Sequence, residues 1–171
     1  MRGKALALLA LLIPLLSSPA ASQDTPGRWF VAVGPTAGGG STVEGGLGGV
    51  FQLVWQSGPR HLALRAAGLA SFAGFPDSNG DNGAAEFGLV YGRAHTTSWG
   101  HAAWGAGVAA VRLDGCGEAG RQSCGTVGVP LVAEAAVETS VAGLGLQAWV
   151  DVNPEAPFGG VALLLQLGWM P

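Results

Sequence analysis

The sequence predicts an all-β fold: an antiparallel up-and-down β-barrel of about eight strands that follows a cleaved signal peptide. Three observations lead to this prediction. The chain is apolar on average but has no long apolar run after its N-terminus, its remainder divides into segments of alternating polarity, and the connections between those segments alternate in length. Strands with one face in lipid need such alternation, and a membrane barrel has short turns at one end and longer loops at the other.

The N-terminal segment has the order of parts of a secretory signal peptide. Two cations precede an apolar run of twelve residues from Ala5 to Leu16, and small residues follow it. The run is too short for a helix that spans a bilayer. We therefore expect residues 1–22 to be removed, with cleavage after Ser22 or after Ala20. A retained N-terminal anchor helix is the alternative.

The composition limits the class of protein. Only 11% of the residues are charged and the mean hydropathy is +0.38, whereas an ordinary soluble domain has about 25% charged residues. Residues 23–171, which we expect to form a single domain, carry six arginines and eleven carboxylates. Their net charge is therefore negative, and no basic patch for nucleic acid is present. No apolar run in this part reaches about 18 residues, which excludes a membrane-spanning helix but not a membrane β-barrel.

Eight segments show side-chain alternation with a period of two. The sixth is the clearest, because Val, Leu and Ala occupy one face while Gly, Pro and Glu dominate the other. The predicted strands are Arg28–Pro35, Gly49–Gln56, Leu62–Phe72, Ala84–Arg93, Trp99–Leu113, Thr126–Ser140, Leu144–Val152 and Val161–Trp169.

The connections between these segments are sorted by length. Short turns at Ser57–Arg60, around Thr96–Ser98 and at Val141–Gly143 alternate with longer connections. The longer ones are Gly38–Gly46, Pro76–Gly83, Asp114–Gly125 and Asn153–Gly160. With the N-terminus on the periplasmic side, the short turns fall at the periplasmic end and the longer loops at the outer end, as outer-membrane barrels require.

The aromatic residues are expected to form two belts at the membrane interfaces. Near the periplasmic ends of the predicted strands lie Trp29, Trp55, Trp99 and Trp169. Near the outer ends lie Phe72, Phe75 and Phe158.

The two cysteines, Cys116 and Cys124, lie eight residues apart in a glycine-rich connection. An exported chain enters an oxidising compartment, which favours a disulfide that closes this loop. A metal site is the alternative, but no histidine or third thiol is nearby.

Signal peptide, eight alternating strands, sorted connections and apolar outward faces together resemble the small eight-stranded outer-membrane barrels of the OmpA/OmpX type. The resemblance is one of pattern, covers most of the mature chain and includes no sequence motif. It implies a bacterial outer-membrane location, with outer-membrane lipid and the barrel-assembly machinery as partners. It also implies an aromatic residue at the end of the last strand. Pro171 stands there instead, and Trp169 is the candidate substitute.

Several polar residues are predicted to point into the barrel lumen: Arg65, Glu86, Glu134 and Glu138, joined by Gln52, Gln147, Gln166 and Asp151. The lumen of an eight-stranded barrel is filled by side chains, so buried charges there must pair. We interpret the set as a structural network that holds Arg65 between carboxylates. A gated proton or ion path, or a catalytic carboxylate pair, is the alternative.

The sequence contains no nucleophile elbow, phosphate-binding loop, dinucleotide fingerprint or zinc spacing, so no cofactor or metal is expected. The possible Ser–His combinations are His95 with Ser98, His61 with Ser57, and His101. A Ser–His pair needs a third group to orient it, and we interpret the three histidines as interfacial residues in turns.

A calcium-binding loop is a further alternative, carried by Asp77, Asn79, Asp81 and Asn82. Glu86 follows Asp77 by nine residues, which does not fit the spacing of an EF-hand loop.

Three functions remain as hypotheses. The first is a non-enzymatic outer-membrane barrel whose loops, including the disulfide-closed one, contact ligands, surfaces or partners. The second is a barrel enzyme that modifies lipid, and the third is a soluble periplasmic barrel of lipocalin type with a small apolar ligand. The charged faces of the third, fourth and sixth segments are narrow and rich in glycine, which favours a polar interior and an apolar exterior.

Overall fold

The computed structural model describes residues 27–41, 45–71, 82–116 and 123–170, and the predicted signal peptide lies outside these ranges. Within them the chain forms a closed antiparallel barrel of eight strands, which confirms the predicted fold. No helix in these ranges is long and apolar enough to cross a membrane. The strands are β1 (Arg28–Gly40), β2 (Gly46–Ser57), β3 (Arg60–Ser71), β4 (Gly83–Thr96), β5 (Gly100–Asp114), β6 (Ser123–Glu138), β7 (Ala142–Val152) and β8 (Phe158–Trp169).

Pairing of the first and last strands closes the barrel. Each strand pairs with its neighbours in sequence, and β1 pairs with both β2 and β8. Val31, for example, faces Leu53 on one side and Leu167 on the other. Because the ring is complete, no strand leaves a free edge of unpaired backbone groups.

The outer ends of several strands extend beyond the predicted bounds. β1 continues past Pro35 to Gly40, so part of the predicted loop Gly38–Gly46 is strand. β8 begins at Phe158, so the end of the predicted loop Asn153–Gly160 is also strand. Glycine has no side chain and so contributes nothing to an alternating pattern. Backbone pairing across strands extends the ladder here, since Gly38 faces both Gly46 and Gly160.

The outward face of the barrel is apolar. Leu146 and Leu163 face each other near the middle of β7 and β8, and each is 58% exposed. Every strand contributes exposed large apolar side chains of this kind. Exposure of such a surface to water is unfavourable, whereas its contact with lipid is favourable. The apolar exterior therefore argues against the soluble lipocalin-type barrel.

The turns at one end are short, and one of them needs glycine. Gly58 and Pro59 alone connect β2 to β3, and Gly58 has a φ of 54°. A two-residue hairpin turn with positive φ at its first position favours glycine, because a side chain is strained there. The strands have 11 to 16 residues, enough for each to cross a bilayer at a tilt of about 45°.

The aromatic side chains are concentrated at the end with the short turns. The side chains of Trp29, Trp55, Trp99 and Trp169 are exposed there, together with Trp104. Phe158 lies at the outer end of β8, as predicted, but its place in an interfacial belt is wrong, because its side chain is 1% exposed and points into the lumen. Phe72 and Phe75 lie outside the described residues.

A charge placed on the middle of the outward face tests the membrane assignment. We expect Leu163→Arg to lower the free energy of unfolding by about 2–4 kcal/mol in phospholipid vesicles, since the guanidinium would lie near the bilayer centre. Val152→Arg, at the exposed outer end of β7, should cost only about 0–1 kcal/mol. Urea unfolding of both variants measures the difference, and equal stabilities would argue against a membrane-embedded exterior.

Candidate functional site

The lumen of the barrel contains a continuous set of buried polar side chains. Each is at most 8% exposed, and together they come from all strands. The set consists of Arg28, Thr36, Gln52, Gln56, His61, Arg65, Glu86, His101, Glu134, Gln147, Asp151 and Gln166, with Glu138 partly buried beside them. Every lumen residue named from the sequence lies within it.

A chain of charged groups occupies the end of the lumen next to the short turns. Arg28 Nη2 donates to the Glu138 carboxylate at 2.5 Å. His101 lies between two carboxylates, with Nδ1 2.7 Å from Glu138 and Nε2 3.2 Å from Glu134. The order is therefore arginine, carboxylate, histidine, carboxylate, with opposite charges adjacent when the histidine is protonated.

Glu134 is the centre of the hydrogen-bonded set. Besides His101, three amide groups donate to its carboxylate: Gln52 at 2.6 Å, Gln147 at 2.8 Å and Gln166 at 2.6 Å. Gln147 also donates to Gln52 at 3.1 Å. Four donors compensate the carboxylate for the water it has lost, as a buried charge requires.

Arg65 forms the second charged group of the lumen. Its guanidinium makes an ion pair with Glu86, and both side chains are 1% exposed. Nη2 lies 3.5 Å from Gln147 Oε1, which links the pair to the set around Glu134. The guanidinium also stacks over Trp149, 4.5 Å from the ring centroid. Arg65 therefore contacts one carboxylate, one amide and one aromatic ring, where the sequence suggested a position between carboxylates.

Aromatic and aliphatic side chains fill the lumen beyond this polar set. Trp149 packs edge to face against Phe158 with centroids 5.5 Å apart, and its Nε1 donates to Thr36 Oγ1 at 3.3 Å. Leu113 and Leu164 are also fully buried. Further towards the outer end, Asp151 accepts from Asn153 at 2.9 Å. The lumen is therefore packed with side chains along its length.

Small residues make the room for these large polar groups. Gly128 on β6 lies against the Asp151 carboxylate, and a Cβ at that position would overlap both carboxylate oxygens. The glycine-rich inner faces noted in the sequence thus have a steric reason, since a narrow barrel must alternate large and small side chains.

Sequence reasoning missed five members of the polar set: Arg28, Thr36, Gln56, His61 and His101. Gln56 Nε2 and His61 Nδ1 are 3.0 Å apart. The interpretation of the three histidines as turn residues is wrong, because each lies in a strand, and His61 and His101 are each only 4% exposed. Only His95 is exposed. The alternation of β3 could have revealed His61. It lies four residues before Arg65, so the two side chains point to the same face of the strand.

The described ranges contain no Ser–His hydrogen bond. Ser98 is exposed in a turn and Ser57 is half-buried at the end of β2, while His101 is held by carboxylates and His61 by an amide. The predicted disulfide is present: Cys116 and Cys124 are bonded, with Cα atoms 6.2 Å apart. No group of three or more potential metal ligands occurs in the described residues, and Asp77, Asn79 and Asp81 of the calcium hypothesis lie outside them.

Solved structures with the same architecture include two bacterial surface proteins. One is Ail, the attachment invasion locus protein of Yersinia pestis, in complex with the heparin analogue sucrose octasulfate. It superposes with a TM-score of 0.55 at 11% sequence identity, and the match covers 85% of this chain and 99% of Ail. Neisserial surface protein A (NspA) gives 0.58 at 11% identity, covering 82% and 97%. The fold is that of the small eight-stranded outer-membrane barrels of the OmpA/OmpX type.

A second structure of Ail gives a TM-score of 0.53 at 12% identity, with 85% of this chain and 99% of that chain covered. No protein-family model and no curated protein sequence matches the chain. At these identities the likeness is one of fold, so the function has to be argued from this chain's own residues.

Removal of one partner of the Arg65–Glu86 pair tests how much the lumen depends on it. We expect Arg65→Ala to lower the thermal unfolding temperature markedly and to cost about 3–5 kcal/mol, because Glu86 remains buried and unpaired. The double variant Arg65→Met, Glu86→Leu should recover part of this loss, since both charges are then removed.

Arg112→Met is the matched control, because the Arg112 side chain is 70% exposed and its loss should change stability by at most about 0.5 kcal/mol. Calorimetry of the folded barrels measures all three. An unfolding temperature of Arg65→Ala equal to that of the wild type would contradict a stabilising network.

Proposed function

We propose that this chain is a non-enzymatic outer-membrane barrel whose outer loops contact a ligand, a surface or a partner molecule. The observation that carries the proposal is the packed lumen beneath an apolar exterior. Glu134, Arg65, Trp149 and their partners fill the described lumen, which supports a structural rather than a substrate-binding role for it. The exterior faces lipid, so the longer connections at the outer end are the part of the chain available to other molecules.

In this proposal the lumen network has a structural role. Arg28, Arg65 and the carboxylates Glu86, Glu134 and Glu138 are each engaged by groups of opposite charge or by hydrogen-bond donors. Such groups hold the strands of a narrow barrel in one arrangement, because a slip of register would leave a charge unpaired. A catalytic carboxylate pair would need access to substrate, and these side chains are buried.

Export precedes this function. We propose that residues 1–22 direct secretion and are removed, and that the barrel-assembly machinery then inserts residues 23–171 into outer-membrane lipid. The lipid-modifying alternative lacks support from the histidines, because His61 and His101 are engaged in the lumen at the end with short turns. That end faces the periplasm when the longer loops face outward.

Fractionation of cells that express the full chain tests the location. We expect the protein to remain with outer membranes after alkaline washing and to migrate differently on gels before and after heating, since a closed barrel resists detergent until heated. The mature N-terminus should be Gln23 or Ala21. Release into the soluble periplasm would contradict the proposal.

The charge of the outer connections indicates the kind of partner. Near the outer ends of the strands the sequence has six carboxylates, Glu44, Asp77, Asp81, Asp114, Glu118 and Glu155, and two arginines, Arg112 and Arg121. Ail has been solved with a heparin analogue, a polyanion. An acidic surface repels polyanions and attracts cationic partners, so we propose a positively charged surface as the partner of these loops.

Binding to immobilised polymers of opposite charge tests this assignment. We expect the folded protein to be retained on polylysine at low salt and to pass through heparin, with retention lost as ionic strength rises. The variant Glu44→Gln, Asp77→Asn, Asp81→Asn should elute at lower salt, whereas Glu134→Gln, a lumen variant, should elute with the wild type. Stronger retention on heparin than on polylysine would contradict the assignment.

A further inference from the structure

Two arginines face each other on the outer surface of the barrel near the short turns. Arg60 begins β3 immediately after the turn at Gly58 and Pro59, and its register partner on β4 is Arg93. Arg60 is exposed and Arg93 half-buried. Both alternate with the lumen residues His61, Gly92 and Ala94, so both side chains lie on the outward face.

Like charges in register on neighbouring strands repel each other unless a counter-charge lies between them. Neither Arg60 nor Arg93 has an ion-pair partner in the part of the chain that the structure describes. The carboxylates at this end, Glu134 and Glu138, are in the lumen and already engaged. The described exterior here therefore has two cations and no anion, so an anion bound from outside the barrel can supply the counter-charge.

The depth of this pair matches a lipid headgroup. A row of outward side chains, Trp169, Trp29, Trp55, Leu62 and Tyr91, runs across four strand pairings. Tryptophan and tyrosine settle at the level of the headgroups. Arg60 and Arg93 lie two residues from Leu62 and Tyr91, on the side of the short turns. Arg60 directly follows the short turn, so the pair lies at the same end of the barrel as the exposed Trp29, Trp55 and Trp169, where lipid headgroups are expected.

An apolar groove lies across β5, β6 and β7, next to the strand that carries Arg93. Trp104 is the register partner of Arg93 on β5, and it lines a groove of about 500 Å³ with Ala106, Leu131, Ala133 and Ala148. The small side chains of these alanines create the groove between larger neighbours. Because Trp104 both neighbours Arg93 and lines this groove, a lipid whose phosphate meets the two arginines has an apolar groove close by for an acyl chain.

We propose that Arg60 and Arg93 bind the phosphate of an anionic phospholipid of the periplasmic leaflet, with one acyl chain in the groove beside Trp104. This site rests on the proposed membrane location and orientation, and it is separate from the outer loops. Two guanidinium groups that share one phosphate relieve their mutual repulsion, and phosphate suits the planar donors of arginine. A zwitterionic lipid carries its own cationic group, so its phosphate gains less from contact with the two arginines.

Native mass spectrometry of the barrel purified from outer membranes tests the site, with phosphatidylglycerol and phosphatidylcholine added in equal amounts. We expect the wild type to retain phosphatidylglycerol preferentially. Each arginine should contribute about fivefold to this preference, so Arg60→Gln, Arg93→Gln should lower it by about twenty-five-fold. Arg112→Gln removes an exposed arginine at the opposite end and should leave the preference unchanged. Ala133→Leu should weaken retention of both lipids by filling the groove.

The outcomes separate the site from the proposed function. Heat-modifiable migration first shows that the wild type and each variant are folded barrels. A wild-type chain that is not an integral barrel counts against the proposed function. A folded double variant that keeps the wild-type preference overturns the site alone. An equal loss of the lipid preference in Arg112→Gln would also overturn the site, because it would show that any exposed arginine contributes to the preference. Displacement of phosphatidylglycerol by an equal concentration of glycerol phosphate would also overturn it, because the groove would then have no part in binding.

Discussion

The closed ring of backbone hydrogen bonds is the constraint on which the rest of this structure depends. In lipid no water is available to an unpaired N–H or C=O group, so a strand-built protein has to leave no edge. Here the pairing of β1 with β8 completes the ring. Once the ring is closed, each strand has one face towards lipid and one towards a narrow lumen. The alternation of apolar and polar residues, and the need for small residues inside, follow from that geometry.

The narrow lumen in turn makes electrostatic demands. Charged side chains in a space that excludes water need partners from other strands, and the strands provide them. Glu134 of β6 receives donors from β2, β5, β7 and β8, and Arg65 of β3 pairs with Glu86 of β4. The same packing fills the described lumen with side chains, so the two ends and the outer wall are the surfaces exposed to other molecules. The charges of those ends differ, with carboxylates in the outer connections and arginines near the short turns.

Much of the fold and part of the site could be predicted because alternation is a local property. A period of two assigns each residue to a face without knowledge of its neighbours in space, and so Arg65, Glu86, Glu134 and Gln147 could be assigned to the lumen. The method failed where alternation was weak. Glycine-rich strand ends such as Gly38–Gly40 carry no pattern, and the Ala- and Gly-rich β5 concealed the inward direction of His101. Phe158 was assigned to the wrong face because an aromatic residue near a strand end suits both an interface and a packed lumen.

The sequence by itself determined the number of strands, the face on which most residues lie, the sorting of long and short connections and the cysteine pair that closes one loop. These follow from residue spacing along the chain. Only the tertiary structure decided which residues meet. The position of His101 between Glu134 and Glu138, the contact of Arg65 with Trp149, and the register that sets Arg60 opposite Arg93 all depend on how the strands align across the closed ring. That alignment is cooperative, because closure couples the stagger of every strand to all the others, and no local stretch of sequence contains it.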